Sequence, residues 1–187
     1  MVQIYAVRCG TKYGPHYESR LREFFPKIKF LNDETFPFIL QWNKLRFMDL
    51  DTSEPIVVID IDIDFQNDYM DLINYPIKRG EFISIPAWWR DTLKEQYKLN
   101  GGFYKYYPVD CKYIVDKFRS DPHMWTTHYI KNGTTVGPVN GEQYFVEDAV
   151  KERLVLKLVP EEWVARGPQY IDMPELKLIH NSWQPTK

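Results

Sequence analysis

Hydrophobic positions recur along the chain with two different periods, which predicts strands and helices in turn. The run Ile56–Ile59 is continuously apolar and β-branched, as in a strand that is buried on both faces of a parallel sheet. Other short apolar stretches predict strands at 2–8, 28–31, 81–85, 103–107, 154–159 and 176–179. Apolar residues spaced three and four apart predict helices within 17–25, 41–50, 68–73, 111–118 and 141–150. This alternation predicts an α/β fold.

Three aspartates at alternate positions, Asp60, Asp62 and Asp64, follow the central apolar run. A continued strand would project all three to one side, and burying unpaired carboxylates costs far more than the neighbouring isoleucines return. We therefore expect the strand to end near Asp60, where the crevice outside the carboxyl ends of the strands binds ligands in α/β sheets. This favours a metal and nucleotide site. The alternative is a half-exposed edge strand, although aspartate is depleted in strands and like charges on one face repel.

Three segments without a clear period are candidate loops. Residues 9–15 form a glycine-containing loop after the first strand, but they lack the GxGxxG and GxxxxGK[ST] patterns. The sequence Asn-Gly-Gly at 100–102 permits a close backbone approach or a turn with positive φ. Residues 121–140 contain two prolines and two glycines and predict a long irregular loop, which is a candidate active-site loop.

Two lysines and one arginine near these segments are candidate phosphate contacts. Lys12 lies in the first loop, while Lys44 and Arg46 lie off the apolar stripe of the helix at 41–50. Either they bind a diphosphate or they are solvated side chains that keep loop and helix soluble, which is the commoner role for isolated charges.

Trp88 and Trp89 are adjacent in a segment that is predicted to be a loop. Exposed indole rings are unfavourable unless they bind something. The pair is therefore a candidate binding surface. Packing of one or both rings into the core is the alternative.

Composition indicates a soluble globular protein. The 187 residues are 44% hydrophobic and 27% charged, which is enough for one domain with a substantial core. A net charge of −2 and a pI near 6.1 give no general attraction to nucleic acid or anionic membranes. No apolar run approaches the ~18 residues of a membrane helix and no signal peptide is evident, so we expect a cytoplasmic protein without membrane insertion. Cys9 and Cys111 lack metal-site spacing and are expected to be free thiols.

Five segments taken in order resemble the GT-A-fold glycosyltransferases, including the family-8 type and small virus-encoded versions. They are Trp42-Asn43-Lys44-Leu45, Val57-Val58-Ile59-Asp60-Ile61-Asp62, Asn100-Gly101-Gly102-Phe103-Tyr104, Gly141-Glu142-Gln143 and the late His180. In these enzymes a lysine-bearing helix precedes the strand that carries DxD, and a sugar loop, an Asp-Gln-like element and a histidine follow. The resemblance implies a single GT-A-like, Rossmann-like domain over 1–187 with a mostly parallel central sheet flanked by helices. Residues 1–80 would form the nucleotide-binding part and 81–187 the acceptor and sugar part.

The resemblance also implies a metal site. Asp60 would face the ribose and the metal, Asp62 would bind the ion directly, and His180 would be the third ligand, with Asp64 as a possible further one. The implied cofactor is Mn²⁺ or Mg²⁺, because a hard cation held by carboxylates neutralises the charge that develops on a departing nucleoside diphosphate.

The remaining site residues follow from the same resemblance. The catalytic candidates are Glu142, Gln143 and Asp62, and Trp88 and Trp89 are the acceptor candidates. The donor-binding candidates are Arg8, Gly10, Lys12, Lys44, Asp60, Asn100, Gly101 and Gly102. The family usually has Asp-Gln where this chain has Glu142-Gln143, which leaves open a role for Glu142 as the base of an inverting reaction.

The implied activity is metal-dependent transfer of a sugar from a nucleotide sugar, with a UDP-sugar favoured, to a glycan, glycoprotein or other hydroxyl acceptor. One alternative is a phosphatase of the haloacid-dehalogenase type, whose strand also ends in DxD. That motif normally opens the chain and has Thr or Val two residues after the second Asp, where this chain has Asp64. The other is a non-catalytic sugar or nucleotide-sugar binding module, since binding and catalysis use the same first contacts.

Overall fold

The computed structural model describes residues 2–87, 96–167 and 173–181, and the statements below refer to these residues. They form nine strands: β1 Gln3–Val7, β2 Lys29–Leu31, β3 Ile56–Ile59, β4 Ile63–Phe65, β5 Glu81–Pro86, β6 Leu99–Tyr106, β7 Val155–Leu158, β8 Val164–Arg166 and β9 Leu178–His180. Six of them form the central sheet in the order β2-β1-β3-β6-β5-β7. Only β6 runs antiparallel to its neighbours in this sheet, which confirms the predicted mostly parallel arrangement.

Helices cover both faces of the central sheet. The α-helices are α1 Pro15–Phe24, α2 Met70–Ile73, α3 Pro108–Ser120, α4 Pro122–Lys131 and α5 Pro138–Arg153, and the 3-10 helices are Leu40–Asp49 and Glu161–Trp163. Four of the α-helices begin with proline, which suits the first helical position because its fixed φ matches the helix and its missing N–H would be unbonded there anyway.

Strand β3 is buried on both faces, as its continuous apolar run predicts. Ile56 and Val58 pack into the core beneath the 3-10 helix Leu40–Asp49, α3 and α5. Val57 and Ile59 pack on the other face, against α1, α2 and the second sheet. The alternation of side chains along the strand thus joins two hydrophobic layers into one α/β sandwich.

The segment 100–102 lies in strand β6, so the prediction of a loop there is wrong. The pairing of β5 with β6 shifts between Ser84, which faces Tyr104, and Ile85, which faces Asn100. The Ser84 hydroxyl closes this irregularity by bonding to the carbonyls of Asn100 and Phe103 at 2.9 and 3.0 Å. Glycines inside a strand often mark such a bulge, and this one carries the Gly-Gly pair away from β5.

The prediction of an irregular loop at 121–140 is also wrong, because α4 and the start of α5 occupy most of this segment. Asp121 caps α4 by accepting a hydrogen bond from the backbone N–H of Met124 at 2.9 Å. Tyr129 is buried in the core. Histidines and threonines on the other faces obscured the helical period in the sequence.

A second sheet, in the order β4-β9-β8, lies beyond the carboxyl end of β3. The chain leaves the central sheet at Asp60 and enters β4 at Ile63, which pairs with His180 at the end of β9. Within the described ranges, no helix is long and apolar enough to cross a membrane. Trp88 and Trp89 lie outside the described residues.

Candidate active site and metal centre

The segment Asp60–Asp64, which carries the three alternate aspartates, and His180 meet where the two sheets adjoin. The backbone N–H of Asp60 bonds to the Gly102 carbonyl at 3.0 Å, which holds the end of β3 against β6. The backbone N–H of Asn181 bonds to the Asp62 carbonyl at 3.0 Å, which holds the following turn against β9. Pairing of both neighbouring strands therefore fixes the position of the acidic turn.

Asp60, Asp62 and His180 form one compact cluster. The Nε2 atom of His180 lies 3.5 Å from Oδ2 of Asp60 and 3.4 Å from Oδ1 of Asp62. One ligand atom from each residue lies within 4.8 Å of the other two. Asp62 and His180 are buried, whereas Asp60 is partly exposed to the cavity described below.

The other oxygen of each carboxylate is held by a protein donor. Lys44 places its Nζ 2.5 Å from Oδ1 of Asp60. Tyr13 donates a hydrogen bond from its hydroxyl to Oδ2 of Asp62 at 2.6 Å. Burial first, and then the charge of Asp62, raise the pKa of Tyr13, so this hydroxyl remains a donor at ordinary pH.

The cluster is electrostatically coupled. Burial alone would lower the pKa of His180, but its hydrogen bonds and ion pairs with Asp60 and Asp62 raise it to about 9. Burial alone would raise the pKa of Asp62, but His180 and the Tyr13 hydroxyl hold it well below its ordinary value. Without a cation, the imidazolium of His180 therefore supplies positive charge to both carboxylates, in addition to the ammonium of Lys44 beside Asp60.

This set of donors fits a divalent cation. Two carboxylate oxygens suit hard ions such as Mg²⁺ and Mn²⁺, and imidazole is a common ligand of transition metals. A cation would replace the proton of His180 and neutralise the same two charges. Asp64 does not join the cluster. Its carboxylate accepts from Asn181 at 2.6 Å and pairs with Arg20 at 2.8 Å.

Lys44 connects the cluster to strand β6 and helix α5. Its buried ammonium bonds to the Gly101 carbonyl at 2.7 Å and lies 3.8 Å from Oε2 of Glu142. Oε1 of Glu142 accepts a hydrogen bond from the Tyr104 hydroxyl at 3.1 Å. Lys44 is therefore not a solvated side chain of the helix surface.

Burial and charge oppose each other in this network. Burial would lower the pKa of Lys44, but the carboxylates of Asp60 and Glu142 raise it, so the amine stays charged. Burial raises the pKa of Glu142 to about 7, against the opposing effect of Lys44. A carboxyl group with a pKa near neutrality can exchange a proton at physiological pH.

Helix α5 is tied to β6 by two side chains one turn apart. Oε1 of Gln143 accepts the backbone N–H of Gly101 at 3.2 Å. The fully buried carboxylate of Glu147 accepts hydrogen bonds from the backbone N–H groups of Lys98 and Leu99 at 2.7 to 3.0 Å. These bonds hold the start of β6 in place, and with it the Gly-Gly bulge over the cluster.

The two glycines of the bulge are required by close approach and not by backbone conformation, because neither has a positive φ. A Cβ atom on Gly102 would lie 2.9 Å from Oδ1 of Asn100 and 3.1 Å from Nδ1 of His180. A Cβ atom on Gly101 would lie 3.3 Å from the ammonium of Lys44. Larger residues would push on the side chains that form the cluster.

A cavity of about 370 Å³ opens over the cluster, which is in the size range of small-molecule sites. It is lined by Val7, Cys9, Lys12, Tyr13, Leu40, Gln41, Lys44, Asp60, Ile61, Asp62, Asn100, Gly101, Val139, Asn140, Glu142, Gln143 and His180. The lining therefore combines carboxylates and lysines with apolar side chains.

Most of the donor-binding candidates line this cavity: Lys12, Lys44, Asp60, Asn100 and Gly101. Arg8 is not a lining residue, and its guanidinium pairs with Glu18 on α1. Gly10 has a φ of +76° and shapes the loop beside Leu40. Gly102 lies behind the wall, against His180.

Tyr13, Leu40 and Gln41 line the cavity although no sequence motif marks them as site residues. Tyr13 lies one residue from a candidate lysine, but nothing local indicates that its hydroxyl reaches Asp62. Val139 and Asn140 also line it, at the end of the segment 121–140 that was predicted as an active-site loop, but they lie in the first turn of α5.

Comparison of the three-dimensional structure with solved structures identifies the fold. An active-site mutant of LgtC matches with a TM-score of 0.61 and 10% identity, over 100% of this chain and 89% of LgtC. The galactosyltransferase LgtC with donor and acceptor sugar analogues matches with a TM-score of 0.54 and 10% identity, over 96% of this chain and 86% of LgtC. Mouse xyloside xylosyltransferase 1 matches with a TM-score of 0.55 and 9% identity, over 97% of this chain and 98% of that protein. This chain has the fold of the GT-A glycosyltransferases.

A further match is GlyE of Streptococcus pneumoniae TIGR4, with a TM-score of 0.55 and 12% identity over 87% of this chain. Here the chain spans only 39% of the length of GlyE. No protein-family model and no curated protein matches the sequence. The GT-A assignment therefore rests on three-dimensional similarity, and the resemblance in the order of motifs agrees with it.

Proposed function

We propose that this protein is a glycosyltransferase that moves a sugar from a nucleoside-diphosphate sugar, preferably a UDP-sugar, to a glycan, glycoprotein or other hydroxyl acceptor. The observation that carries the proposal is the Asp60, Asp62 and His180 cluster beneath a cavity, in a GT-A fold. A structural neighbour, LgtC, has been solved with donor and acceptor sugar analogues.

Asp60, Asp62 and His180 would hold Mn²⁺ or Mg²⁺. When bound, such an ion supplies positive charge to the leaving diphosphate. Lys12 lies at the cavity wall and supports binding of the same phosphates. The buried ammonium of Lys44 keeps one oxygen of Asp60 engaged, so it orients this ligand and adds positive charge to the site.

Glu142 and Gln143 line the cavity and remain the catalytic candidates, together with Asp62. The pKa of Glu142, about 7, suits a group that takes a proton from an acceptor hydroxyl. Gln143 uses its carbonyl oxygen to hold Gly101, so its amide orientation is set by β6. As a catalytic candidate it would face the donor sugar near its anomeric carbon.

The division of the chain and the acceptor residues are proposed as the sequence predicts them. Residues 1–80 would form the nucleotide-binding part and 81–187 the sugar and acceptor part, with Trp88 and Trp89 at the acceptor. Membership of the family-8 or virus-encoded type, a cytoplasmic location and the absence of nucleic-acid partners stay predictions.

The experiment that tests the proposal is a donor screen. The protein is incubated with UDP- and GDP-sugars and Mn²⁺, with release of nucleoside diphosphate and transfer to glycan acceptors measured in parallel. We expect metal-dependent turnover of at least one UDP-sugar. Binding of nucleotide sugars without any turnover would favour a binding module, and hydrolysis of a generic aryl phosphate would favour a phosphatase.

A further inference from the structure

The two acidic residues of the cluster each direct one oxygen, and not two, toward His180. In Asp60, Oδ1 is held by Lys44 at 2.5 Å and Oδ2 faces Nε2 of His180 at 3.5 Å. In Asp62, Oδ2 accepts from the Tyr13 hydroxyl at 2.6 Å and Oδ1 faces Nε2 of His180 at 3.4 Å. The protein therefore holds one oxygen of each carboxylate on the side away from the cluster's centre.

The position of Tyr13 is set by its neighbours. Its ring packs edge-on against that of Tyr17 on α1, with ring centroids 4.9 Å apart and an interplanar angle of 74°. The ammonium of Lys12 lies 4.6 Å from the centroid of the Tyr13 ring. Asp62 itself is buried, and a hydrogen bond to a buried charge is costly to break. The contact between Tyr13 and Asp62 is therefore a fixed part of the site.

The number of oxygens that a carboxylate offers affects which cation it prefers. Ca²⁺ takes six to eight oxygen ligands and readily accepts both oxygens of one carboxylate. Mg²⁺ is smaller and requires near-octahedral geometry, which single oxygens from separate groups provide. A pair of aspartates that are each restricted to one oxygen therefore favours Mg²⁺ and Mn²⁺, which are both smaller than Ca²⁺.

We propose that Tyr13 determines metal selectivity: its hydroxyl keeps Asp62 a single-oxygen ligand and so favours Mn²⁺ or Mg²⁺ over Ca²⁺. This rests on the proposed function, because it takes Asp60, Asp62 and His180 to be the cation site. Lys44 does the same for Asp60, but its removal would also leave the buried carboxylate of Glu142 without a cation. Tyr13 therefore gives the cleaner test.

The test measures binding of Mn²⁺ and Ca²⁺ separately by calorimetry, with no nucleotide or sugar present. Tyr13→Phe removes the hydroxyl and keeps the ring. Tyr17→Phe is the matched control, because it makes the same change in the ring that packs against Tyr13. We expect Tyr13→Phe to lower the affinity for Mn²⁺ by about 10- to 100-fold, which is the usual effect of losing a group that orients a metal ligand. Ca²⁺ binding should hold or tighten, because Asp62 can then offer both oxygens.

The ratio of the two affinities decides the outcome. An unchanged ratio in Tyr13→Phe overturns the inference, whether or not both affinities fall, because a purely structural role would affect the two ions equally. A wild-type protein that binds the two ions equally overturns it as well. If the wild type binds neither ion, the proposed metal site itself fails. Thermal melting verifies that each variant is folded, and Tyr13→Leu serves as a second variant without the hydroxyl.

Discussion

The side-chain nitrogen of Lys44 lies 2.5 Å from a carboxylate oxygen of Asp60, and the lysine is only 2% exposed. A charge so deeply buried is stable only with partners, which here are Asp60, Glu142 and the Gly101 carbonyl. One ammonium group therefore joins four elements: the 3-10 helix Leu40–Asp49, the end of β3, strand β6 and helix α5.

Replacing Lys44 should destabilise the protein. Lys44→Met leaves the buried carboxylate of Glu142 without its cation, and we expect a loss of about 3–5 kcal/mol in the free energy of unfolding, measured by urea denaturation. The double variant Lys44→Met, Glu142→Gln should recover part of that loss. Lys27→Met, at an exposed lysine, is the control and should stay within about 0.5 kcal/mol of wild type. Equal stability of all variants would contradict the buried network.

Asp62 and Asp64 provide a matched pair for the metal site. Asp62→Asn should abolish Mn²⁺-dependent binding of UDP, because neutralising a buried ligand removes the charge that attracts the ion. Asp64→Asn should leave binding nearly unchanged, because that carboxylate contacts Arg20 and Asn181 and not the cluster. Calorimetry with UDP and GDP, with and without Mn²⁺, measures both. Binding of equal strength without metal would refute the assignment.

Gly102 should not tolerate a methyl group. In Gly102→Ala the new Cβ atom meets Asn100 and His180, so we expect Mn²⁺ binding to weaken by about 10-fold or more. Gly137→Ala is the control, because a Cβ atom there meets nothing within 4 Å. Both variants are compared by calorimetry and thermal melting. Wild-type affinity in Gly102→Ala would show that the bulge does not position His180.

Glu142 should make the stability of the metal-free protein depend on pH. Its folded pKa of about 7 lies above the ordinary 4.5, so the folded protein retains a proton that the unfolded chain releases. The resulting stabilisation is present below about pH 4.5 and is lost as the pH rises through about 7. Between about pH 5 and pH 8, wild type should lose about 1–3 kcal/mol more than Glu142→Gln. Parallel curves for the two proteins in urea denaturation would contradict this pKa.

Trp88 and Trp89 test the acceptor prediction. If they bind the acceptor, Trp88→Ala and Trp89→Ala should abolish transfer while donor hydrolysis and melting temperature stay near wild type, because an indole covers a sugar face and excludes water. If they belong to the core, the melting temperature should fall, since replacing a buried tryptophan by alanine costs about 3–5 kcal/mol. Transfer assays and melting curves on the same preparations separate the two.

The sequence by itself determined those features that depend on neighbouring residues. The β-branched run Ile56–Ile59 predicts a doubly buried strand because its period and composition are local. The aspartates that follow mark its end, since unpaired carboxylates cannot continue into the core. The alternation of strand and helix was likewise enough for the α/β class. Only the order of several motifs, none specific alone, indicated the fold.

Tertiary structure decided which distant groups meet. His180 lies beside Asp62 because β9 pairs with β4, and a pairing register between distant segments has no local signal. The same holds for the Tyr13 hydroxyl on Asp62 and for the burial of Lys44. Asn100 to Gly102 resemble a loop because a bulge and a turn favour the same small residues. Their place in the strand depends on the pairing of Asn100 with Ile85 and on the bond from the Asp60 N–H to the Gly102 carbonyl. Long-range pairing and burial therefore built the site from groups that the sequence presents separately.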